Sequence, residues 1–202
     1  MRKPVLLALA GVLGVASVTG GVLLWRHGQA AGRTGDEAQG GRLIPKVAAP
    51  DFALVGADGN SVSLGDLRGK YVVLFFSGGL NCLPCIGQIS ELNKDPALNN
   101  DGTVAFSVIP DPPSAWQKAQ ETSSSLARAR PLFDTEGTAF QAYESLKVSS
   151  LMTHGLHMSH TYFVINRQGM IVSVLDDGAM GVRNDVLAPL LGKIREIESG
   201  AP

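Results

Sequence analysis

The sequence has no long block of lysine and arginine, no glycine-rich phosphate loop and no cysteine beyond two. Lys and Arg number 17 against 18 Asp and Glu, for a formal net charge of −1. The cationic footprint that grips a phosphate backbone is therefore missing, and nucleic acid is not an expected partner. Neither a Walker-type nor a GxGxxG pattern occurs, so no nucleotide cofactor is expected. Cys82 and Cys85 stand alone, and no second CxxC is available to complete the four ligands of a structural zinc site. Charged residues are scarce at 17%, whereas hydrophobic residues reach 45% of the 202. That balance suits one globular domain plus an extra segment. No internal repeat and no second domain boundary is visible.

The extra segment is N-terminal. PVLLALAGVLGVASVTGGVLLW, from Pro4 to Trp25, carries no charge, with Arg2 and Lys3 before it and Arg26 and His27 after it. At about 1.5 Å per helical residue it is long enough to cross a hydrocarbon layer of roughly 30 Å. A cleaved signal peptide has a shorter apolar region, about 7–15 residues, ending in small residues such as Ala16 and Ser17. Continuation to Trp25, a residue that favours the membrane–water boundary, speaks for a retained anchor. Arg2, Lys3 and the terminal amine hold the N-terminus in the cytoplasm, so the domain is expected on the extracytoplasmic side of the cell membrane, and cleavage would export it equally. Residues 1–25 thus read as an anchor or signal-anchor. Residues 26–46, RHGQAAGRTGDEAQGGRLIPK, are rich in Gly, Ala and polar side chains without apolar periodicity and read as a flexible tether. The domain is expected over 47–202.

Within the domain the pattern alternates. DFALVGADGNSVSL predicts a short strand and turn, GDLRGK a connection, and the unbroken apolar run YVVLFF a strand buried on both faces. After the cysteines, Pro84 suits a first helical turn and Ile86, Ile89 and Leu92 recur as a buried stripe, so Cys82 falls at a helix start. TVAFSVI reads as a second buried strand, followed by helices around Ser114–Ala127 and Thr138–Leu146. TYFVIN and MIVSVL flank the turn RQG as a hairpin. NDVLAPLLGKIREIE closes the chain as a helix capped at Asn184, with Pro189 arguing for a late start or a kink. The order predicts an α/β sandwich with a mixed sheet, preceded by one transmembrane helix.

APDFALVGADGNSVSLGDLRGKYVVLFF, CLPC opening a helix, and HTYFVINRQGMIV resemble a thioredoxin-fold redoxin of the alkyl hydroperoxide reductase and thiol-specific antioxidant superfamily. The resemblance covers roughly Ala49 to Glu198. The opening block is similar to peroxiredoxins, while CLPC behind an anchor is similar to membrane-tethered thioredoxin-like proteins such as those of cytochrome c maturation. It implies protein disulfides or dithiols as substrates and a membrane or extracytoplasmic redox partner.

Disulfide exchange needs one thiolate that attacks and a second thiol near enough to displace the substrate. CxxC at a helix start supplies both, because free N–H groups and the helix dipole favour a thiolate. Cys82, on the outer side of the turn, is the expected nucleophile, and Cys85, one turn in, the resolving thiol. A purely structural disulfide here would close a tiny loop and stabilise little. Two rival readings use the same sulfurs. A peroxiredoxin-like peroxidase would carry Thr or Ser three residues before its reactive Cys, where this chain has Gly79. Sco-type copper-delivery proteins carry a three-residue spacer and a Pro after the second Cys, where this chain has Leu83-Pro84 and Ile86, although Met152 and Met158 offer thioethers. Against thioredoxins the chain has Phe76 at the position of the buried Asp, and Asn81 just before the first Cys. Against cytochrome-maturation relatives it has Gln88 in place of a Glu. On a helix Gln88 shares a face with Cys85, where it can hydrogen-bond near the dithiol but cannot take its proton.

That leaves the histidines of THGLHMSHTYFVIN. By resemblance, the position of a cis-Pro facing the dithiol falls on His160, which is placed to relay the proton of Cys85, with an ordinary pKa near 6.5. His154 and His157 read as loop-surface residues. Asp134, Glu136, Asp176 and Asp177 read as loop or surface acids, and Arg183 has no chemical role at this level.

Overall fold

The computed structural model describes residues 41–146 and 160–200. The expected span at 4–25, the tether as far as residue 40, and the loop with Met152, His154, His157 and Met158 lie outside them. Among the described residues no helix is long and apolar enough to cross a membrane.

In chain order the elements are β1 (Arg42–Ala48), β2 (Ala53–Gly56), β3 (Ser61–Ser63), β4 (Tyr71–Ser77), α1 (Leu83–Leu92), β5 (Thr103–Ile109), α2 (Pro113–Thr122), β6 (Leu132–Phe133), α3 (Thr138–Glu144), β7 (His160–Ile165), β8 (Met170–Asp176) and α4 (Asn184–Ser199). The strands form one sheet in the order β1-β8-β7-β4-β5-β6-β2-β3. All seven residues of β4 are buried. Since alternate side chains leave opposite faces, such a strand needs a layer on each. It lies parallel to β5 and antiparallel to β7, which makes the sheet mixed. Tyr71, Val73 and Phe75 pack under α1, α2 and α4 with Ile89, Leu92, Trp116, Leu187, Leu191 and Ile194. Val72, Leu74 and Phe76 face the other way, onto α3 with Ala139 and Tyr143 and onto Phe52, Leu54 and Leu64. The α/β sandwich with a mixed sheet is therefore present.

Three boundaries differ from the expectation. β1 begins at Arg42, inside the stretch read as tether. It pairs antiparallel with β8 through a register shift between Leu43 and Val47. Pro45 lies in that interval, and an edge strand with an irregular register tolerates a residue without N–H. The helix expected to Ala127 stops at Thr122 and gives way to a short 3-10 turn at Ser124–Leu126. Helix α4 runs through Pro189 rather than starting after it. An interior proline costs about 3 kcal/mol, and burial of Leu187, Leu190, Leu191 and Ile194 on one face offsets it. Asn184 is not the cap. Its side chain donates to the Glu91 carbonyl at 3.1 Å and accepts from Gln88, so it ties α4 to α1.

Candidate active site

The loop from β4 into α1 is built by hydrogen bonds from its own backbone. Gly79 N–H donates to Ser77 Oγ at 3.1 Å, and Leu80 N–H donates to the Asp111 carboxylate at 2.9 Å. Gly79 holds a left-handed φ of +65°, and a single 3-10 turn over Gly79–Asn81 then delivers Cys82 to the helix start. Cys82 is the N-cap residue: its carbonyl accepts from Ile86 N–H at 3.2 Å and its sulfur from Cys85 N–H at 3.3 Å. Pro84 occupies the first turn, where no N–H is needed.

Cys82 and Cys85 are joined as a disulfide with Cα atoms 5.2 Å apart. Their environments differ. Cys85 is fully buried in the core under α1, whereas Cys82 is half-buried at its edge. Leu83 beside it is 83% exposed, and Met180 and Val182, on the loop before α4, are also exposed apolar residues.

His160 is the first residue of β7 rather than part of the preceding loop, and it pairs with Ser77 at the end of β4. Alternation along β7 puts its ring on the face of Tyr162, the face that α1 covers. There it meets Phe75 edge-on at 4.7 Å and Tyr162 at 5.6 Å. It is buried, 2% exposed, and among the described residues neither ring nitrogen has a hydrogen-bond partner. Among the described residues no peptide bond is cis. Burial pushes the imidazole below its ordinary pKa. Asp177, whose carboxylate is 3.5 Å from Nδ1, pulls the other way without overcoming it.

Asp177 lies in the loop after β8, as expected, but it is not a surface group. Its neighbour Asp176 is exposed, but Asp177 is 6% exposed and accepts four hydrogen bonds. They come from Arg183 Nε at 2.8 Å, an Arg183 terminal nitrogen at 2.6 Å, Ala179 N–H at 3.2 Å and Gly181 N–H at 2.9 Å. Burial opposes its ionisation, but Arg183 and the two N–H groups together hold its pKa below the ordinary carboxylate value. Asp134 is likewise buried and accepts from Phe140 N–H and Thr138 Oγ1 at the start of α3. Gln88 shares the buried face with Cys85 as its helical spacing required, and both of its polar atoms bond the head of α4. Its oxygen accepts from Arg183 N–H at 2.6 Å and its nitrogen donates to Asn184 at 2.9 Å. The signal for Asp177 lay in the hairpin register: Thr161 faces Asp176, so the next pair out is His160 with Asp177, whose N–H donates to the His160 carbonyl at 3.1 Å. Among the described residues no group of three or more His, Cys, Asp or Glu side chains is placed to hold a metal ion.

A buried, weakly basic histidine has a consequence for stability. An unfolded histidine takes up its proton near pH 6.5, while the folded one resists to lower pH. Below about pH 6.5 the unfolded state thus binds more protons, and stability falls as pH falls until the folded pKa is passed. Denaturant midpoints measured from pH 7.5 to 5 are expected to drop, and His160→Phe is expected to drop less over that window.

A mixed sheet with helices on both faces, and a CxxC disulfide at the helix start after its central strand, define a redox-active thioredoxin-fold oxidoreductase working through a dithiol. The AhpC/TSA family pattern matches residues 45–174, well over half of the sequence, and the chain belongs to that family. It is 29% identical over 135 residues to a candidate peroxiredoxin of Mycobacterium tuberculosis, covering 65% of this chain and 83% of that protein. Among solved structures it is similar to a candidate protein disulfide isomerase from Bacteroides thetaiotaomicron, with a TM-score of 0.53 and 23% identity, covering 79% of this chain and 92% of that one. The reduced 2-Cys peroxiredoxin of Plasmodium vivax gives a TM-score of 0.61 at 20% identity, covering 75% and 96%. At these identities the structural likeness establishes the fold.

Proposed function

We propose that this chain is a membrane-tethered, extracytoplasmic thiol-disulfide oxidoreductase that acts on protein disulfides through Cys82 and Cys85. The observation that carries the reading is the placement of Cys82 Sγ at the mouth of α1, already accepting the Cys85 N–H while Cys85 is fully buried. In the reduced form the same N–H and the helix dipole stabilise a Cys82 thiolate. That thiolate attacks one sulfur of a substrate disulfide. The substrate S–S bond breaks, and its other sulfur leaves as a thiolate that takes up a proton. Cys85 then gives its proton to His160 and attacks Cys82 Sγ. The bond from Cys82 to the substrate breaks, the electron pair goes to the substrate sulfur, and the Cys82–Cys85 disulfide remains. A partner dithiol restores the reduced pair by the reverse exchange. Exposed Leu83, Met180 and Val182 suit a polypeptide substrate more than a peroxide.

Gly79 favours exchange over peroxide reduction. Three residues before Cys82 a peroxidase of this superfamily needs a hydroxyl, and here the backbone is left-handed and the space for a side chain is taken by Asp111. The test compares the full chain in detergent on a protein disulfide and on hydrogen peroxide with the same reductant. Turnover is expected on the disulfide with slow, incidental loss of peroxide; fast peroxide turnover with negligible disulfide reduction would assign the chain to the peroxidases instead. The anchor rests on the uncharged stretch 4–25, and the chain is expected to stay with the membrane fraction through a carbonate wash. A soluble domain beginning after residue 17 or later would show that the segment is cleaved.

A further inference from the structure

We infer that Asp177 is the positioning residue for His160, with Arg183 moderating its charge and Gln88 fixing Arg183 to the helix that bears the dithiol. The inference rests on His160 acting as the proton carrier for Cys85.

The geometry around Asp177 is more constrained than an ion pair alone requires. Arg183 grips both oxygens, two backbone N–H groups hold them from the loop side, and the Asp177 backbone is fixed to the His160 carbonyl. The carboxylate is thereby set beside Nδ1 at 3.5 Å, close to a hydrogen bond without forming one. A buried imidazole whose two nitrogens find no partner among the described residues is costly, because each gives up its hydrogen bonds to water without replacement. Taking a proton changes that, because an Nδ1–H facing a carboxylate becomes a charge-assisted bond after a small shift. The carboxylate also selects the neutral tautomer with the proton on Nδ1, which leaves the Nε2 lone pair as the base.

A bare carboxylate would hold the proton too firmly for a relay. Arg183 prevents this by neutralising Asp177. The backbone N–H of Arg183 is held by Gln88, three residues beyond Cys85 on the same helix face, and Asn184 next to it bonds both Gln88 and the Glu91 carbonyl. The imidazole setting is thus built against α1 and not against a free loop. Among the described residues the remaining polar or titratable groups on the elements around the ring are few. Asp176 is exposed at the end of β8, the Tyr162 hydroxyl is driven well above its ordinary pKa by burial and by Asp177, Ser77 on β4 carries no charge, and Cys85 on α1 belongs to the buried cluster of Phe75 and Tyr162, the two rings that His160 meets.

The test follows the resolving step: release of thiol from a mixed disulfide formed at Cys82, against pH, on the full chain in detergent. The acid limb of that rate reports loss of the neutral base. Asp177→Asn removes the negative charge, so the limb is expected at lower pH with a plateau slower by roughly threefold or more. Arg183→Met frees the carboxylate, so the limb is expected at higher pH, and Arg183→Lys is expected to return it toward the wild-type position. Limbs unmoved in both charge variants, while His160→Ala is slow, would reduce Asp177 and Arg183 to a structural brace and overturn the inference alone. A wild-type rate and profile in His160→Ala would overturn the relay reading together with it. Where Asp177→Asn does not fold, nitrogen-15 shifts of the wild-type His160 ring decide: a neutral ring protonated on Nδ1 supports the inference, and one protonated on Nε2 overturns it.

Discussion

Replacing Cys82 by serine is expected to lower protein-disulfide reduction by roughly a thousandfold or more, because an alkoxide is not accessible where a thiolate is. Cys85→Ser is expected to fail differently. Attack by Cys82 still proceeds, but the displacing sulfur is gone, so one equivalent of substrate accumulates as a mixed disulfide that a small thiol releases. The asymmetry comes from burial: Cys85 is sealed under α1 while Cys82 lies at the edge of the core. For the same reason alkylation of the reduced chain near neutral pH is expected to reach Cys82 first, read by peptide mass. Full turnover by Cys82→Ser would move the attacking sulfur elsewhere. Trapping on Cys85 in place of Cys82 would reverse the two roles.

What could be read in advance was what local pattern encodes. YVVLFF admits few environments other than a strand covered on both faces, and CLPC with Ile86, Ile89 and Leu92 behind it fixes a helix start at the dithiol. The turn RQG between two apolar runs fixed the β7–β8 hairpin. What escaped was non-local. β1 does not look like a strand, because RLIPKVA is short, contains a proline and follows a Gly- and Ala-rich stretch; its partner β8 lies more than 120 residues away. Gln88 was placed on the correct face, but helical spacing cannot say that its partners come from Arg183 and Asn184 at the head of α4. Asp177 looked like any acid after a strand until the hairpin register put it opposite His160. Asp111 gave no signal at all, since only the parallel pairing of β4 with β5 brings the end of one strand beside the loop that leaves the other.

That last contact supports the second large effect. Gly79→Ala is expected to destabilise the chain by about 2–4 kcal/mol, the sum of a left-handed backbone imposed on a residue with a Cβ and the loss of a charged hydrogen bond. An added Cβ would collide with Asp111 Oδ2 and lie 2.9 Å from its Cγ, so the carboxylate must leave, and with it the acceptor of Leu80 N–H. Leu80 lies two residues before Cys82, which places the damage at the site as well as in the fold. Disulfide reduction is expected to fall further than unfolding alone explains when assayed well below the melting transition. The two contributions separate in a double-mutant cycle. Asp111→Ala alone loses the Leu80 bond; in the double variant that bond is lost only once, the collision is absent, and Gly79→Ala adds only the cost of the left-handed φ. The summed single effects should therefore exceed the effect of the double variant. Strict additivity would mean that Gly79 is required for its backbone angle alone, and that Asp111 does not govern how the loop presents Cys82.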